Sequence, residues 1–398
     1  MPTFCWQPHI LTVNEKCDFE DFQLLHELPT VCQIIKTGKR AVKENIVSPV
    51  CRKQGLLSLC KIILKRVVVP DRFIFWLFKA VPVGLKIIRK NNIDLIYSID
   101  YPSTNHIVAM MLHWVTGKPW VADFKDLWIA DYAYHKIPPF SWVDYFLQNR
   151  VLNKASALVC VNEAMKNRFL AYIKNRKNAF INVISNGFDE EDFNSFQCHV
   201  SVSEPLVIVY AGTIYQDLLP FLFLKIIRIL LVENKIGKHE IKLIFIGQPE
   251  READIDSEVF KELRKIGILE HYKQLSHQAT LEMVKKADIL LLTLYDVVDS
   301  DCIIPSKTFE YVASGKVIFT LTNPKNNLAK FISSLDFGIV VDYNDLPAVK
   351  DVLLKLIDRF RNNEFSVDRN TAYSAIKQYS RMNLTSELVK IFNETTFS

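Results

Sequence analysis

The sequence predicts an α/β protein built from two doubly wound parallel sheets. Short apolar runs rich in β-branched residues alternate with longer helical patterns along the whole chain. This alternation is typical of parallel strands with helices on both faces of the sheet. The runs fall into two sets of about five, which indicates two sheets. The polar stretch "SFQCHVSVSEP", residues 195–205, separates the two sets and is the best candidate for a linker.

Ten runs have the length and composition of buried strands. They read "HILTV", "DLIYSI", "WVADF", "ALVCV" and "INVIS" in the first half, and "LVIVYAG", "KLIFIG", "DILLLTL", "KVIFTL" and "FGIVV" in the second. Segments between them, such as "STNHIVAMMLHWVTG" and "ATLEMVKKA", have the periodicity of helices. There is no internal repeat. We therefore predict a first domain over residues 1–197, a second over residues 198–370 and closing helices over residues 371–398.

Composition narrows the class of protein. The chain has 398 residues, of which 49% are hydrophobic and 23% charged, as in globular proteins. Its net charge of +5 is too small to argue for a nucleic-acid partner. Eight cysteines occur without a C-x-x-C pair, which is typical of reduced thiols in a cytosolic protein and gives no metal-binding pattern. The start, "MPTFCWQPHILTV", lacks the features of a signal peptide.

Residues 61–90 form the most apolar region of the chain, so both a membrane-spanning and a membrane-surface role have to be considered. Prolines and charged residues interrupt it, so it contains no uninterrupted apolar run of the roughly 18 residues that a spanning helix needs. It carries eight Lys or Arg residues against one Asp. A basic, aromatic and amphipathic segment can lie on an anionic membrane surface. The alternative is a core helix with a solvated basic face.

Ligands of open α/β sheets bind beyond the carboxyl ends of the strands, so the residues that follow each strand are candidates for a site. Gly212 and Thr213 follow the strand "VIVYA". A glycine there allows backbone amides to approach a diphosphate, and the threonine hydroxyl adds a donor. A purely steric role for this glycine is the alternative.

The stretch "IPSKTFEYVASGK", residues 304–316, predicts a short helix that begins near Ser306 and ends before Gly315. A helix N-terminus suits phosphate, and Lys307 would add a full charge. Glu310 lies three residues further on, on about the same face, where it could accept hydrogen bonds from both hydroxyls of a ribose. An ordinary exposed Lys/Glu pair is the alternative.

Carboxylates follow two further strands. The D-x-D pair of Asp299 and Asp301 could hold a divalent metal, but we expect a solvated loop or a contact with sugar hydroxyls, and no metal. Asp123 and Asp126 end a buried strand beside Trp128. They could face an acceptor hydroxyl or a sugar, or they could cap the next helix.

Several stretches resemble family-four-like glycosyltransferases of the GT-B fold. They are "NNIDLIYSIDYPSTNHIVAMML", "GKPWVADFKDLW", "VISNGFDEEDF", "VYAGTIY" and "IPSKTFEYVASGK", in this order. The resemblance covers nearly the whole chain and implies two Rossmann-like domains that face each other across a cleft. It implies a nucleotide-sugar bound mainly by the second domain, closing helices that cross back to the first domain, retention of anomeric configuration, and no metal requirement.

The resemblance also implies roles for individual residues. Glu310 matches the glutamate that binds the nucleotide ribose, and Lys307 matches a position near the phosphates. Asn186 and Gly187 match a turn in which glycine suits a positive φ. The implied catalytic residues are Asp126 and Lys307. The implied donor-binding residues are Gly212, Thr213, Asp301, Ser306, Lys307 and Glu310.

Three departures from the family pattern stand out. Many relatives carry a second glutamate eight positions before the ribose-binding one, where this chain has Cys302; Asp301 is the neighbour that could serve instead. The basic pair after the diphosphate loop is absent from "GTIYQDLLP". The usual first strand, glycine-rich loop and helix also have no counterpart before "WQPHILTV". Two explanations are open: a start codon assigned too late, or a truncated form that is inactive.

The sequence therefore predicts a retaining glycosyltransferase in surface polysaccharide biosynthesis. It would move a sugar from a nucleotide-sugar donor to a glycan or lipid-linked acceptor, with no cofactor beyond the donor itself. The alternatives are a nucleotide-sugar epimerase or hydrolase of the same fold, and a truncated, non-catalytic GT-B protein that is a binding partner of an active transferase. We expect a cytoplasmic location, with residues 61–90 as the segment that could contact the cytoplasmic membrane face.

Overall fold

The computed structural model describes residues 1–14, 31–38, 66–130, 136–173, 180–193, 205–214, 219–249, 255–362, 364 and 374–397. These residues form two compact units. The first unit holds the described residues up to Asn186 together with those from Met382 onward, and the second holds those from Gly187 to Arg381. The predicted linker, residues 195–205, lies outside the described residues except at its last position.

The first unit contains two groups of parallel strands. Strands β1 (His9–Val13) and β2 (Gln33–Thr37) pair with each other. A second group follows the order β3-β4-β5-β6. Its strands are β3 (Ile96–Ile99), β4 (Trp120–Phe124), β5 (Ala157–Cys160) and β6 (Ile181–Val183). Every residue of β4 and β5 is buried, as expected for strands covered on both faces.

Helices cover this sheet. They are α1 (Leu77–Asn91), α2 (Thr104–Thr116), α3 (Phe140–Lys154), α4 (Glu163–Tyr172) and the final helix, α11 (Arg381–Phe397). Gly117, at φ +69°, ends α2, and the side chain of Asn162 caps α4. The apolar face of α11 packs against β4 and β5, where Phe392 contacts the ring of Trp6 at 5.3 Å between centroids.

The second unit contains a six-stranded parallel sheet in the order β12-β11-β10-β7-β8-β9. Its strands are β7 (Leu206–Ala211), β8 (Ile241–Ile246), β9 (Leu269–Tyr272), β10 (Ile289–Thr293), β11 (Val317–Leu321) and β12 (Gly338–Val341). Its helices are α5 (Leu219–Val232), α6 (Glu258–Lys265), α7 (His277–Lys286), α8 (Lys307–Ala313), α9 (Asn327–Ser333) and α10 (Leu346–Arg361).

Alternate side chains along the strands of this sheet belong to two different apolar layers. In β7, Ile208 and Tyr210 belong to one buried cluster and Val209 belongs to the other. Side chains of successive strand residues point to opposite faces. Helices therefore cover both faces, and the prediction of a doubly wound sheet is confirmed for this unit.

All ten predicted strands are present, and no predicted end differs from the observed one by more than two residues. Two further strands, β2 and β9, were not predicted. β9 has the sequence "LEHY" and lies at the edge of its sheet, where polar residues replace the apolar run of a central strand. Within the described part of residues 61–90, α1 begins at Leu77. Among the described helices, none is long and apolar enough to cross a bilayer.

Candidate functional site

The carboxyl ends of β7 and β10 meet where the strand order of the second sheet reverses. From β7 the sheet continues through β8 to β9 on one side, and from β10 through β11 to β12 on the other. Such a reversal opens a crevice outside the carboxyl ends of the two central strands. Gly212 follows β7, and the segment after β10 leads into α8. The fold thus brings two sequence constellations, 96 positions apart, to one crevice.

Lys307 connects the loop after β7 directly with the start of α8. Its Nζ donates to the carbonyl oxygen of Ala211 at 2.9 Å and lies 4.3 Å from the ring centre of Tyr210. The Tyr210 hydroxyl donates in turn to the carbonyl of Thr213 at 2.8 Å. Burial lowers the pKa of Lys307 to about 7. Among the described residues, no carboxylate pairs with this ammonium, so a bound anion would meet an uncompensated cation.

The loop after β7 is tightly packed against the loop after β8. A Cβ on Gly212 would lie 2.8 Å from the Nζ of Lys307, and a Cβ on Gly247 would lie 1.9 Å from the carbonyl oxygen of Gly212. The Gly212 amide donates to the carbonyl of Ile246 at 2.8 Å. The Thr213 amide is not engaged by any acceptor in the part of the chain described, and its residue is exposed. This amide and the Lys307 ammonium are therefore the donors that remain for a ligand.

Helix α8 begins and ends where the sequence predicts. Lys307 is its first residue, and Gly315, at φ +64°, follows its last turn. The helix has only seven residues, and the exposed Ser306 that precedes it makes no side-chain cap. A helix of this length contributes little dipole of its own, so the positive potential at this position comes mainly from Lys307.

The acidic loop lies between β10 and α8. Asp301 is exposed, and its backbone carbonyl accepts a hydrogen bond from the side chain of Asn327 at 2.9 Å. Asp296 braces the loop by accepting from Ser300 at 2.9 Å and from Asn323 at 2.8 Å. Cys302 is buried. Within the ranges that the structure describes, no three His, Cys, Asp or Glu side chains are grouped as metal ligands would be.

Glu310 is half-buried, and its side chain makes no hydrogen bond or ion pair with another described residue. Burial raises the pKa of its carboxyl, His277 and Arg381 lower it, and Asp192 raises it. Lys307 is not among these charges, so the ordinary Lys/Glu pair considered from the sequence does not form. The carboxylate is open to hydroxyl donors from a ligand.

The surroundings of Glu310 include residues that sequence reasoning missed. The Nε2 of His277 lies 2.9 Å from the Oδ2 of Asp192. Arg381 Nη1 lies 3.9 Å from Asp189 Oδ2. Both aspartates belong to the stretch "NGFDEEDF", whose acidity was the available signal. Gly187 of the same stretch is not among the described glycines with positive φ, so that expectation is wrong.

A second group of carboxylates lies at the carboxyl ends of β3 and β4 in the first unit. Asp123 is buried; its Oδ2 accepts from the Tyr97 hydroxyl at 2.5 Å and lies 3.0 Å from Lys125 Nζ. Its Oδ1 is buried without a hydrogen-bond partner in the described part of the chain. Asp100 follows β3 and is also buried. Sequence reasoning did not single out Asp100, although it directly follows a predicted strand.

The carboxylates of this group interact electrostatically and so affect the pKa of Asp100. Burial raises the pKa of Asp100 to about 7; the Ser103 hydroxyl, which donates at 3.1 Å, opposes the rise, and neighbouring carboxylates add to it. Asp126 is more exposed, and partial burial of its carboxyl raises its pKa. The next described helix, α3, has Pro139 as its N-cap. Neither Asp123 nor Asp126 caps it, so the capping alternative is not realised.

Comparison with known proteins identifies the fold. Residues 48–192 match the sequence profile of the family described as Glycosyltransferase Family 4. This match lies within the first half of the chain and includes Asp100, Asp123 and Asp126. No curated protein matches the chain in sequence.

Solved structures resemble the whole chain. Sucrose-phosphate synthase from Thermosynechococcus elongatus is 12% identical with a TM-score of 0.64, covering 98% of this chain and 99% of its own. Anabaena HepE in complex with UDP and glucose is 13% identical with a TM-score of 0.63, covering 97% and 99%. The lipopolysaccharide outer core galactosyltransferase WaaB is 12% identical with a TM-score of 0.53, covering 97% and 99%.

These findings confirm the predicted fold class and the resemblance. The chain has the GT-B fold with two Rossmann-like domains, and its family match supports a glycosyltransferase. The stereochemical course and the identity of the acceptor stay predictions, as do the roles of individual residues.

Proposed function

We propose that the protein transfers a sugar from a nucleoside diphosphate sugar to a hydroxyl of a glycan or lipid-linked acceptor, with retention of configuration. The observation that carries this proposal is the Lys307 ammonium beneath the Gly212–Thr213 loop at the switch point of the second sheet. A cation without a described counter-ion and an unengaged amide are the two kinds of donor that a diphosphate requires.

Successive parts of the donor would be bound by different groups of the site. Its diphosphate would lie at Gly212, Thr213 and Lys307, with Ser306 at the same edge. Its ribose hydroxyls would donate to Glu310, and Asp301 would contact the sugar. HepE was solved with UDP and with UDP-glucose, which favours a nucleotide sugar as donor. We propose no role for a metal or a further cofactor at this site.

The chemistry follows from the charge that develops during transfer. The bond between the sugar C1 and the diphosphate oxygen breaks, and its electron pair leaves with the diphosphate. The sugar becomes oxocarbenium-like, and the acceptor oxygen forms the new bond to C1 while its proton passes to an oxygen of the departing diphosphate. Lys307 would stabilise the leaving group, because a fixed charge in a partly dry site acts strongly on developing charge. Asp126 would bind the acceptor hydroxyl.

Binding of a nucleoside diphosphate is the first test. A panel of nucleotide sugars screened by thermal shift should identify a donor, and Glu310→Ala should then weaken that ligand by about 1.5–3 kcal/mol, the size of a charged hydrogen bond. Glu282→Ala is a matched control, because Glu282 is an exposed carboxylate on α7 that pairs only with Lys285 among the described residues. Equal affinity in the wild type and in Glu310→Ala would refute the assignment.

Turnover distinguishes the transferase from the alternatives. A transferase releases nucleoside diphosphate only when an acceptor is present, whereas a hydrolase releases free sugar without one. An epimerase would change the sugar while it remains attached to the nucleotide. Donor binding without any of these reactions, across a broad acceptor panel, would favour a non-catalytic role.

The finer role that we propose is surface polysaccharide synthesis at the cytoplasmic membrane face. In the described part of residues 61–90, Phe75 and Phe78 are 71% and 73% exposed, and α1 ends with the basic pair Arg89 and Lys90. Exposed aromatic rings next to basic side chains suit an anionic bilayer surface. Flotation with vesicles rich in phosphatidylglycerol tests this: charge reversal of Lys86, Arg89 and Lys90 should abolish binding, and unchanged binding would count against it.

A further inference from the structure

The side chain of Tyr210 packs against the loop that follows β7. A Cβ on Gly212 would lie 3.3 Å from the Tyr210 hydroxyl oxygen and 3.6 Å from its Cζ, so this glycine leaves room for the phenol as well as for Lys307. Tyr210 is buried and packs against Phe245, with 5.2 Å between the ring centroids. The proposed chemistry gives this tyrosine no role.

The peptide group between Ala211 and Gly212 is bonded at both ends. Its carbonyl accepts from Lys307 at 2.9 Å, and its amide donates to the carbonyl of Ile246 at 2.8 Å. The Ala211 amide donates to the hydroxyl oxygen of Tyr311 at 2.9 Å. Lys307 and Tyr311 are four residues apart in α8, so one face of this helix holds Ala211 through both of its backbone groups.

The peptide group between Thr213 and Ile214 is also bonded at both ends. Its carbonyl accepts from the Tyr210 hydroxyl at 2.8 Å, and its amide donates to the carbonyl of Gln248 at 3.0 Å. Between these two fixed groups lies the peptide of Gly212 and Thr213, whose amide has no acceptor in the described part of the chain. The orientation of this amide is therefore set by its neighbours, and Tyr210 supplies the side-chain bond on one side.

The ring of the same tyrosine holds the ammonium. The Nζ of Lys307 lies 4.3 Å from the centre of the Tyr210 ring. A cation over an aromatic face at this distance is attracted by the ring quadrupole, and more strongly where water is excluded. Ring and hydroxyl thus act on the two donors that remain for a diphosphate, the Lys307 ammonium and the Thr213 amide.

We infer that Tyr210 is a positioning residue for diphosphate binding: its ring holds the Lys307 ammonium and its hydroxyl fixes the peptide next to the Thr213 amide, so that both donors are oriented before the ligand binds. This inference deepens the proposed function and rests on its assignment of the diphosphate to this loop. Donors that are already oriented bind a ligand with a smaller loss of conformational entropy. Removing either contact should therefore weaken binding.

Two substitutions separate the hydroxyl from the ring. Tyr210→Phe removes only the bond to Thr213, and Tyr210→Leu also removes the ring but keeps an apolar side chain. The probe is inorganic pyrophosphate, titrated against the full-length protein and followed by its ³¹P resonance, which also measures weak binding. We expect about fivefold weaker binding in Tyr210→Phe, the size of one hydrogen bond, and a further loss of about threefold in Tyr210→Leu.

Tyr343→Phe is the matched control. Tyr343 is a buried tyrosine of the same apolar cluster, and its hydroxyl accepts from the Asp296 amide at 3.4 Å. This variant should bind pyrophosphate as the wild type does. Wild-type affinity in Tyr210→Phe as well would overturn the inference.

A double-mutant cycle with Lys307→Met distinguishes positioning from a structural role. If the ring acts by holding the ammonium, the step from Tyr210→Phe to Tyr210→Leu costs affinity only while Lys307 is present. A ring that merely fills the core would cost the same affinity in both backgrounds, and that result would also overturn the inference.

The Lys307 side chain gives a readout without any ligand. With ¹³C at the ε carbon of lysine, the resonance that vanishes in Lys307→Met belongs to Lys307. The ring current should shift its ε protons upfield in the wild type and in Tyr210→Phe, and the shift should disappear in Tyr210→Leu. A wild-type resonance at the ordinary lysine position would contradict the contact between ring and ammonium.

These readouts separate the inference from the proposed function. If Lys307→Met weakens pyrophosphate binding but neither Tyr210 variant does, the diphosphate site stands and the positioning role fails. If the Lys307 resonance shifts as expected but the wild type binds neither pyrophosphate nor any nucleoside diphosphate, Tyr210 holds the ammonium, whereas the proposed function fails and the role in ligand binding fails with it.

Discussion

The ammonium nitrogen of Lys307 lies 2.8 Å from the position that a Cβ on Gly212 would occupy. The same nitrogen donates to the carbonyl of Ala211, one residue before this glycine. The absence of a side chain at position 212 thus leaves room for the cation directly beneath the loop that follows β7. Loop and lysine form one structural unit, although they lie far apart in the sequence.

A methyl group at position 212 should therefore displace the cation. Gly212→Ala is expected to weaken nucleoside diphosphate binding at least about tenfold, or roughly 1.4 kcal/mol. The melting temperature should fall as well, because Gly212 lies at φ +155°, where a side chain strains the backbone even if the flexible end of Lys307 moves aside. Calorimetric titration and a melting curve measure the two effects. Unchanged affinity would show that the position of the ammonium does not matter for the ligand.

A methyl group at position 247 should act on folding instead. The Cβ would lie 1.9 Å from the backbone carbonyl of Gly212, which cannot move without shifting the loop. We expect Gly247→Ala to reduce the free energy of unfolding by about 3 kcal/mol. Gly237→Ala is the control, because its Cβ would meet only the side chain of the partly exposed Glu240. Urea unfolding that shows equal stability for the two variants would contradict the close packing of the two loops.

The lowered pKa of Lys307 predicts proton uptake on binding. At pH 8 the side chain of the free protein is mostly neutral, since its pKa is about 7. A bound diphosphate favours the charged form, so the complex should take up close to one proton at pH 8 and much less at pH 6. Calorimetry in buffers of different ionisation enthalpy measures this number. Proton uptake that persists in Lys307→Met would assign it to another group.

The buried carboxyl of Asp100 predicts a pH-dependent stability. Its pKa is about 7 in the folded chain against 3.8 ordinarily, so between these values the folded state binds the extra proton. Stability from this group is present below about pH 4 and is lost as the pH rises to about 7. Asp100→Asn should therefore melt a few degrees above the wild type at pH 8, with little difference at pH 4. A lower melting temperature at pH 8 would contradict this account.

The sequence predicted the sheets well because buried strands appear in it as short runs of apolar residues. It missed β9, since "LEHY" is a polar edge strand, and it missed β2 because "QIIKT" is short and half exposed. It placed the ends of α8 correctly from Ser306 and Gly315. It overrated the dipole of that helix, which has only seven residues.

The site was only partly visible in the sequence. The sequence singled out Gly212, Lys307 and Glu310 because each carries a local signal at a strand or helix end. Their arrangement was not foreseen: Lys307 reaches the backbone below Gly212 and does not pair with Glu310. His277 and Arg381 were missed because long-range packing brings them to Glu310, and no local pattern marks either residue. Gly247 was read only as the end of a strand, although its role is steric.

The affinity for the best-binding nucleoside diphosphate, measured by calorimetry at pH 6.5 in Lys307→Met, tests the central claim most directly. Lys330→Met on α9 serves as the charge control, since Lys330 is an exposed lysine of the same unit. The account predicts a loss of at least about tenfold for Lys307→Met, or roughly 1.4 kcal/mol, and no loss for the control. Wild-type affinity in Lys307→Met, with the fold intact, would contradict a diphosphate site at this lysine.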